Sequence, residues 1–174
     1  MLDVGDFREL VVRPSLIHLQ NWDRRLWTEA AENLLIGTAL QESGLRHLRQ
    51  MHGGIALSVY QIEPATALDV WDNFLSRHPR CAEIVEGLMA PAGDRVGQLT
   101  WNLGYATAVA RLIYWRVPEP LPPPENIDGL GRYWKDHYNT AKGGGTAAQF
   151  IFNYRTYVLA FAKPRLRFGE ARKE

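Results

Sequence analysis

The chain is poor in the features that most readily assign a function. It has one cysteine, Cys81, so no internal disulfide can form, and the thiol reads as a buried core residue. Twenty lysines and arginines face 19 aspartates and glutamates, a balance that gives no field to hold nucleic acid or a membrane surface as a general partner. No stretch of about 18 apolar residues exists to span a bilayer. The start, MLDVGDFRELVVRPSL, places Asp3 and Asp6 where a secretory signal would carry a basic region and an apolar centre, so none is expected. The five histidines show no H-E-x-x-H spacing and no cysteine partners, and neither a metal nor a cofactor is expected. Ser43 and Ser58 lack a G-x-S-x-G setting, and no phosphate-cradling or dinucleotide glycine pattern occurs.

What is present is an ordinary globular composition, 46% hydrophobic and 22% charged over 174 residues, which suits one domain spanning 1–174 with its own core. After a short helical or irregular start, the spacing predicts a helix from Trp22 or Asp23 to Glu42, closed by Gly44 at the position of a C-cap glycine. The glycines Gly53 and Gly54 mark a turn, and Ile55 to Ile62 reads as short strands or a hairpin edge. Pro64 suits the first turn of a helix in which Ala67, Val70, Phe74 and Leu75 share a face, and a short helix follows over Arg80 to Met89. A long helix capped by Asp94 comes next, with Val96, Leu99, Leu103, Ala106, Ala110 and Ile113 on one face. Trp101, Tyr105, Val109 and Leu112 supply a second face, which makes this helix the expected centre of the domain. The prolines of VPEPLPPPEN enforce an extended surface strap. A helix over Ile127 to Tyr138, a glycine hinge at Gly143 to Gly145, and a last helix from Thr146 to Ala162 complete the reading. The buried stripe of that last helix is Ala147, Phe150, Tyr154, Tyr157 and Phe161, and a basic cluster from Lys163 to Lys173 reads as a solvated tail or, more sharply, as a contact for an anionic wall polymer or an acidic neighbour. The fold class is therefore mainly α, with a small β or loop element after Glu42.

One residue disturbs this pattern. In LLIGTALQESGL, steps of three and four back from Glu42 reach Thr38 or Ala39, then Leu34 and Leu35, Ala31 and Trp27, so an acid lies on the apolar stripe. It also lies at the helix C-terminus, where free carbonyls disfavour an anion. Both conditions raise a carboxyl pKa, and an acid that keeps its proton near neutral pH can protonate a leaving oxygen, as cleavage of a glycosidic bond requires. The bland alternative is a last-turn glutamate exposed to water or paired with Arg46 or Arg49.

Glu42-Ser43, followed nineteen residues after Glu42 by Gln61 in HGGIALSVYQIEPATA, resembles the paired motifs of the soluble lytic transglycosylase and goose-type lysozyme superfamily. That family ends a helix in E-S and continues with S-x-x-G-A-x-G-L-M-Q, a proline and a threonine. Here His52 stands at the family's serine, Ile55 and Ser58 at its glycines, Ala56 at its alanine, Tyr60 at its methionine and Gln61 at its glutamine, while Pro64 and Thr66 match P-x-T. The resemblance implies an α+β lysozyme-like domain with Glu42 as the catalytic acid and base. Gln61, Tyr60 and His52 would then line a groove for alternating N-acetyl sugars, and a side-chain amide that both donates and accepts suits such a partner. The family's later Y-N-x-G element has two candidates, Asn102 in WNLG and Tyr138 in YWKDHYNT, a run that looks like those of phage-encoded wall-degrading domains.

A two-acid hydrolase needs a second carboxyl roughly 5 to 10 Å away, and Glu63, Asp69 and Asp72 are the nearby acids. With one acid alone, a group of the substrate must act as nucleophile, which favours transglycosylation to an anhydro product. The resemblance thus implies cleavage of bacterial peptidoglycan strands by a phage protein, made in the host cytoplasm and acting on the wall as part of a virion tail or at lysis. Other tail proteins are possible partners. The rival expectations are a tail or baseplate component that keeps the fold without turnover, and a chitin-cleaving enzyme.

Overall fold

The computed structural model describes residues 1–91, 93–139 and 144–160, and these form a mainly helical fold with almost no strand. The chain opens with α1 (residues 4–19), started by the Asp3 carboxylate accepting the Asp6 amide and widened at Phe7–Val12, where the Arg13 N–H bonds the Arg8 carbonyl. The start, expected to be short and helical or irregular, is a helix through Leu19, because Phe7, Val12, Leu16 and Leu19 form one buried stripe. Helix α2 is Glu29–Ser43. It begins later than Trp22, because Thr28 takes an extended conformation and its hydroxyl accepts the Ala31 amide, while Asp23 starts a separate tight turn at Arg24–Leu26. It ends as expected: Gly44 adopts a left-handed φ of 60° and returns its N–H to Leu40.

Helix α3 covers residues 64–74 from Pro64, and α4 is Pro79–Glu86. The long helix expected from Asp94 is divided. Asp94 caps only a short turn through its bonds to the Val96 and Gly97 amides, and α5 starts at Leu103 under an Asn102 cap, leaving Trp101 exposed rather than on an inner face. Helix α5 is Leu103–Trp115. Residues 117–126 then form the expected strap, pinned where Asn33 Nδ2 donates to Pro124 O and Tyr133 Oη to Glu119 O. Helix α6 spans residues 127–139, and α7 spans residues 147–159 behind a capping box of Thr146 and Gln149. Gly143, positions 161 and 162 of the expected last helix, and the basic cluster lie outside the described residues.

The centre is shared rather than held by α5 alone. Helix α2 is covered on all sides from Ala30 to Leu40, lying against α1, α5, α6 and α7, while α5 packs on α1 and α2. Gly37 admits the close approach of α7: a Cβ there would collide with the Phe150 ring. The β element after Glu42 is reduced to two isolated antiparallel bridges, Arg49 with Leu57 and Leu57 with Ile62. The turn at 58–61 folds Leu57 and Ile62 into mutual hydrogen bonds of 2.9 and 2.8 Å. Such an element is too short to stand alone and depends on the end of α2. Among the described residues no helix is long and apolar enough to cross a membrane.

Candidate active site

Helix α2 delivers Glu42 to the surface at its final turn, and Ser43 fastens the following loop to that spot. The Ser43 hydroxyl sits 2.7 Å from the Val59 carbonyl and 3.1 Å from that of Ala39, and it accepts the Leu45 amide at 3.2 Å. The loop is thereby folded back so that Gln61 faces Glu42. A pocket of about 300 Å³ results, lined by Glu42, His47, Gln50, Met51, His52 and Gln61. Glu42 is the only carboxylate among these. Glu63 is exposed and Asp69 is paired with Arg116 at 2.6 Å, so neither lines the pocket, and nor does the exposed Asp72.

The backbone around the pocket is unusual. Leu45, His52, Ser58 and Gln61 are the four non-glycine residues with positive φ among the described residues, at 53°, 58°, 68° and 50°. Left-handed backbone costs on the order of 1 kcal/mol at each such residue, and strain of this kind gathers where loops are held for function. Ser58 offsets its cost by accepting the Tyr60 amide through its own hydroxyl at 3.1 Å. The Gln61 side-chain amide donates to Ser58 O at 2.7 Å, which leaves its carbonyl oxygen available to the pocket.

Glu42 is half-buried, and one oxygen is held from inside the fold: Trp134 Nε1 donates to Oε1 at 2.9 Å. Trp134 is itself fully buried and stacked on Phe150 with centroids 5.7 Å apart. Burial pushes the Glu42 carboxyl up to about 7, against the opposing effect of the Trp134 bond. Because indole N–H only donates, Oε1 must accept in either charge state, and the proton of the neutral acid therefore resides on Oε2. Tyr138 braces the same region, its hydroxyl donating to Tyr60 O at 2.9 Å and its ring stacked on Tyr114. Desolvation raises its phenol far above the ordinary range, with Tyr114 and then Glu42 adding to the effect, so it stays a neutral donor.

The structure thus brings together Glu42, Gln61 and His52, with Tyr138 supporting the loop beneath them. Tyr60 does not line the groove. It is fully buried with its hydroxyl 3.0 Å from Thr107 Oγ1, because an apolar ring on the inner side of the turn fills the core. Asn102 is likewise not in the pocket: its carbonyl caps α5 at Tyr105 and its amide donates to Leu88 O at 2.8 Å, so both ends are occupied in structural bonds. Sequence reasoning missed Trp134, although it stands four residues before Tyr138 and so shares that helix face. No signal singled out His47, Gln50 or Met51. Among the described residues, no three or more His, Cys, Asp or Glu side chains converge to hold a metal ion.

The chain matches no protein-family model, no curated protein and no solved structure. The site must be judged by its own geometry. A half-buried acid, protonated near neutral pH on the oxygen left free by its internal donor, beside an amide side chain in a concave site, can deliver one proton to an oxygen of a polar ligand.

Proposed function

We propose that this protein is a lysozyme-like glycan-cleaving domain acting on the β-1,4 bond between N-acetylmuramic acid and N-acetylglucosamine in bacterial peptidoglycan, with Glu42 as proton donor. The observation that carries the reading is Glu42 itself, its pKa raised to about 7 in a pocket shared with Gln61 and with one oxygen anchored by Trp134. The resemblance of ES and of HGGIALSVYQ to the transglycosylase motifs adds support, as does Ser58, which takes a φ of 68° at a position where the family has glycine.

In this reading Oε2 passes its proton to the glycosidic oxygen as the bond from the muramyl C1 breaks. The resulting carboxylate then takes the proton of the muramyl C6 hydroxyl as that oxygen closes on C1, giving an anhydro sugar and regenerating the acid. Among the described residues Glu42 is the one carboxylate lining the pocket, which favours this route over water-dependent hydrolysis, for which an opposing acid is needed. Delivery with a phage virion tail or at lysis belongs to the same proposal and rests on the resemblance of YWKDHYNT alone.

Digestion of purified sacculi followed by mass spectrometry tests the reading. Wild type should release anhydro-muropeptides, and Glu42→Gln, with unchanged far-UV dichroism, should release none. Fragment release by that variant at the wild-type rate would remove the assignment. Sedimentation with sacculi but no fragments from wild type would instead select a wall-binding tail component.

A further inference from the structure

A second concavity is lined by the residue that precedes Glu42 in the last turn of α2. It has a volume of about 360 Å³ and is lined by Gln41, Ala148, Gln149, Phe152 and Asn153. Gln41 is the residue before Glu42, so the two hollows adjoin one helix end and their lining side chains start about 3.8 Å apart along the backbone. Gly145 lies against both Trp134 and Gln41: a Cβ there would stand 2.7 Å from Trp134 Cη2 and 3.1 Å from Gln41 Nε2, so the residue that anchors Glu42 and the residue that lines the second hollow share one neighbour.

The lining has a definite chemistry. Phe152 is 67% exposed although it belongs to an ordered helix whose neighbours Phe150 and Tyr154 are buried. Asn153 Nδ2 donates to Gln41 Oε1 at 2.9 Å. That bond orients both amides and leaves the Gln41 NH2 as donor and the Asn153 carbonyl as acceptor. An uncharged donor and acceptor side by side match a secondary amide, which presents one N–H and one C=O. An open aromatic face beside them suits the C–H face of a pyranose, whose weakly positive hydrogens meet the negative face of the ring. Among the described residues no charged side chain lines the hollow, which disfavours phosphate or carboxylate ligands.

We infer that this hollow is a sugar subsite for an N-acetylated hexosamine, with Phe152 as the stacking platform and Gln41 and Asn153 binding the acetamido group. The inference rests on the proposed glycan-cleaving function for its account of why the subsite adjoins Glu42. It places a further sugar of the same strand on the α7 side of the scissile bond, so that chain length and not one residue alone determines binding.

The test uses N-acetylglucosamine oligomers of three and six units on the Glu42→Gln protein, with binding followed by calorimetry and by the side-chain NH2 resonances of Gln41 and Asn153. The hexamer should bind more tightly than the trimer, and Phe152→Ala should remove that advantage, weakening the hexamer roughly tenfold, as expected for one lost neutral contact, with the trimer unchanged. Phe152 is exposed, so its truncation should leave the melting temperature near that of the parent. Equal hexamer binding with and without Phe152, or NH2 resonances of Gln41 and Asn153 that do not move at saturating hexamer, would overturn the inference while leaving the sacculus assay to judge Glu42. Conversely, movement of those resonances in a protein whose Glu42→Gln variant still cleaves sacculi would sustain the subsite and sink the catalytic assignment.

Discussion

A carboxyl group that resists ionisation leaves a thermodynamic signature independent of any substrate. The folded chain holds the Glu42 proton up to about pH 7, while the unfolded chain releases it near the ordinary value of 4.5. Stability contributed by the neutral form is therefore complete below pH 4.5 and is lost as pH rises towards 7, the folded state binding more protons throughout that window. Glu42→Gln keeps the acceptor for Trp134 and removes the titration. It should match wild type at pH 4 and exceed it by roughly 3 kcal/mol at pH 8, the free-energy equivalent of the raised pKa. Urea denaturation at the two pH values measures this difference, and a constant offset would show that Glu42 titrates normally. The position of Glu42 on an apolar stripe was legible in the sequence. Its partner Trp134, 92 residues further along, was not, because nothing local links the end of one helix to the face of another.

At the level of elements, the site depends on how a helix end holds a loop with almost no strand structure of its own. Ser43 is buried, and its hydroxyl is the donor that satisfies the Val59 carbonyl. Ser43→Ala leaves that carbonyl without its partner and should cost about 2 kcal/mol, in the range for an unsatisfied buried acceptor. Thermal unfolding measures the loss, and faster hydrogen exchange at the Ile62 amide would locate it in the loop, whereas an unchanged melting point would mean that the loop holds itself. Element types were well indicated by hydrophobic spacing and by Pro64, Gly44 and Thr146. Two boundaries were not. Thr28 and Asn102 cap their helices although the apolar periodicity runs on through Trp27 and Trp101, since a side-chain oxygen that bonds the free amides of the first turn outweighs periodicity in setting where a helix starts.

Across the whole molecule, a buried carboxylate with two cationic partners lies at the other end of the helix that carries Glu42. Glu32 is 1% exposed and receives Arg8 and Arg13 from α1 at 2.8 and 2.7 Å, with Trp27 Nε1 at 3.2 Å. Burial alone would raise its pKa, but the bonds from Arg13, Arg8 and Trp27 outweigh that and the net direction is down. The group thus contributes stability above its unfolded pKa, and that contribution is lost in acid as the pH falls through its lowered folded value. Glu32→Gln should destabilise the protein by about 3 kcal/mol at pH 7, because two guanidinium groups lose their shared anion. The variant should also lose part of the acid sensitivity of wild type. Denaturant titration at pH 7 and pH 3 checks both, and equal loss at the two values would mean that Glu32 acts through packing alone. The contrast along α2 is instructive: a glutamate met by two guanidinium groups is held ionised at the start of the helix, and one desolvated beside an indole keeps its proton up to about pH 7 near its end.

The sequence by itself determined that the chain is a helical domain, that an acid stands on an apolar face beside a glycine cap, and that prolines lay a strap across the surface. These are local consequences of side-chain periodicity and backbone freedom. Only the tertiary structure decided that Tyr60 belongs to the core and Asn102 to a cap, that α2 is enclosed, and that Trp134 and Gln61 meet at Glu42. Each of those depends on which distant residues remove water from a group, and desolvation is a property of the assembled fold that no short stretch of chain contains.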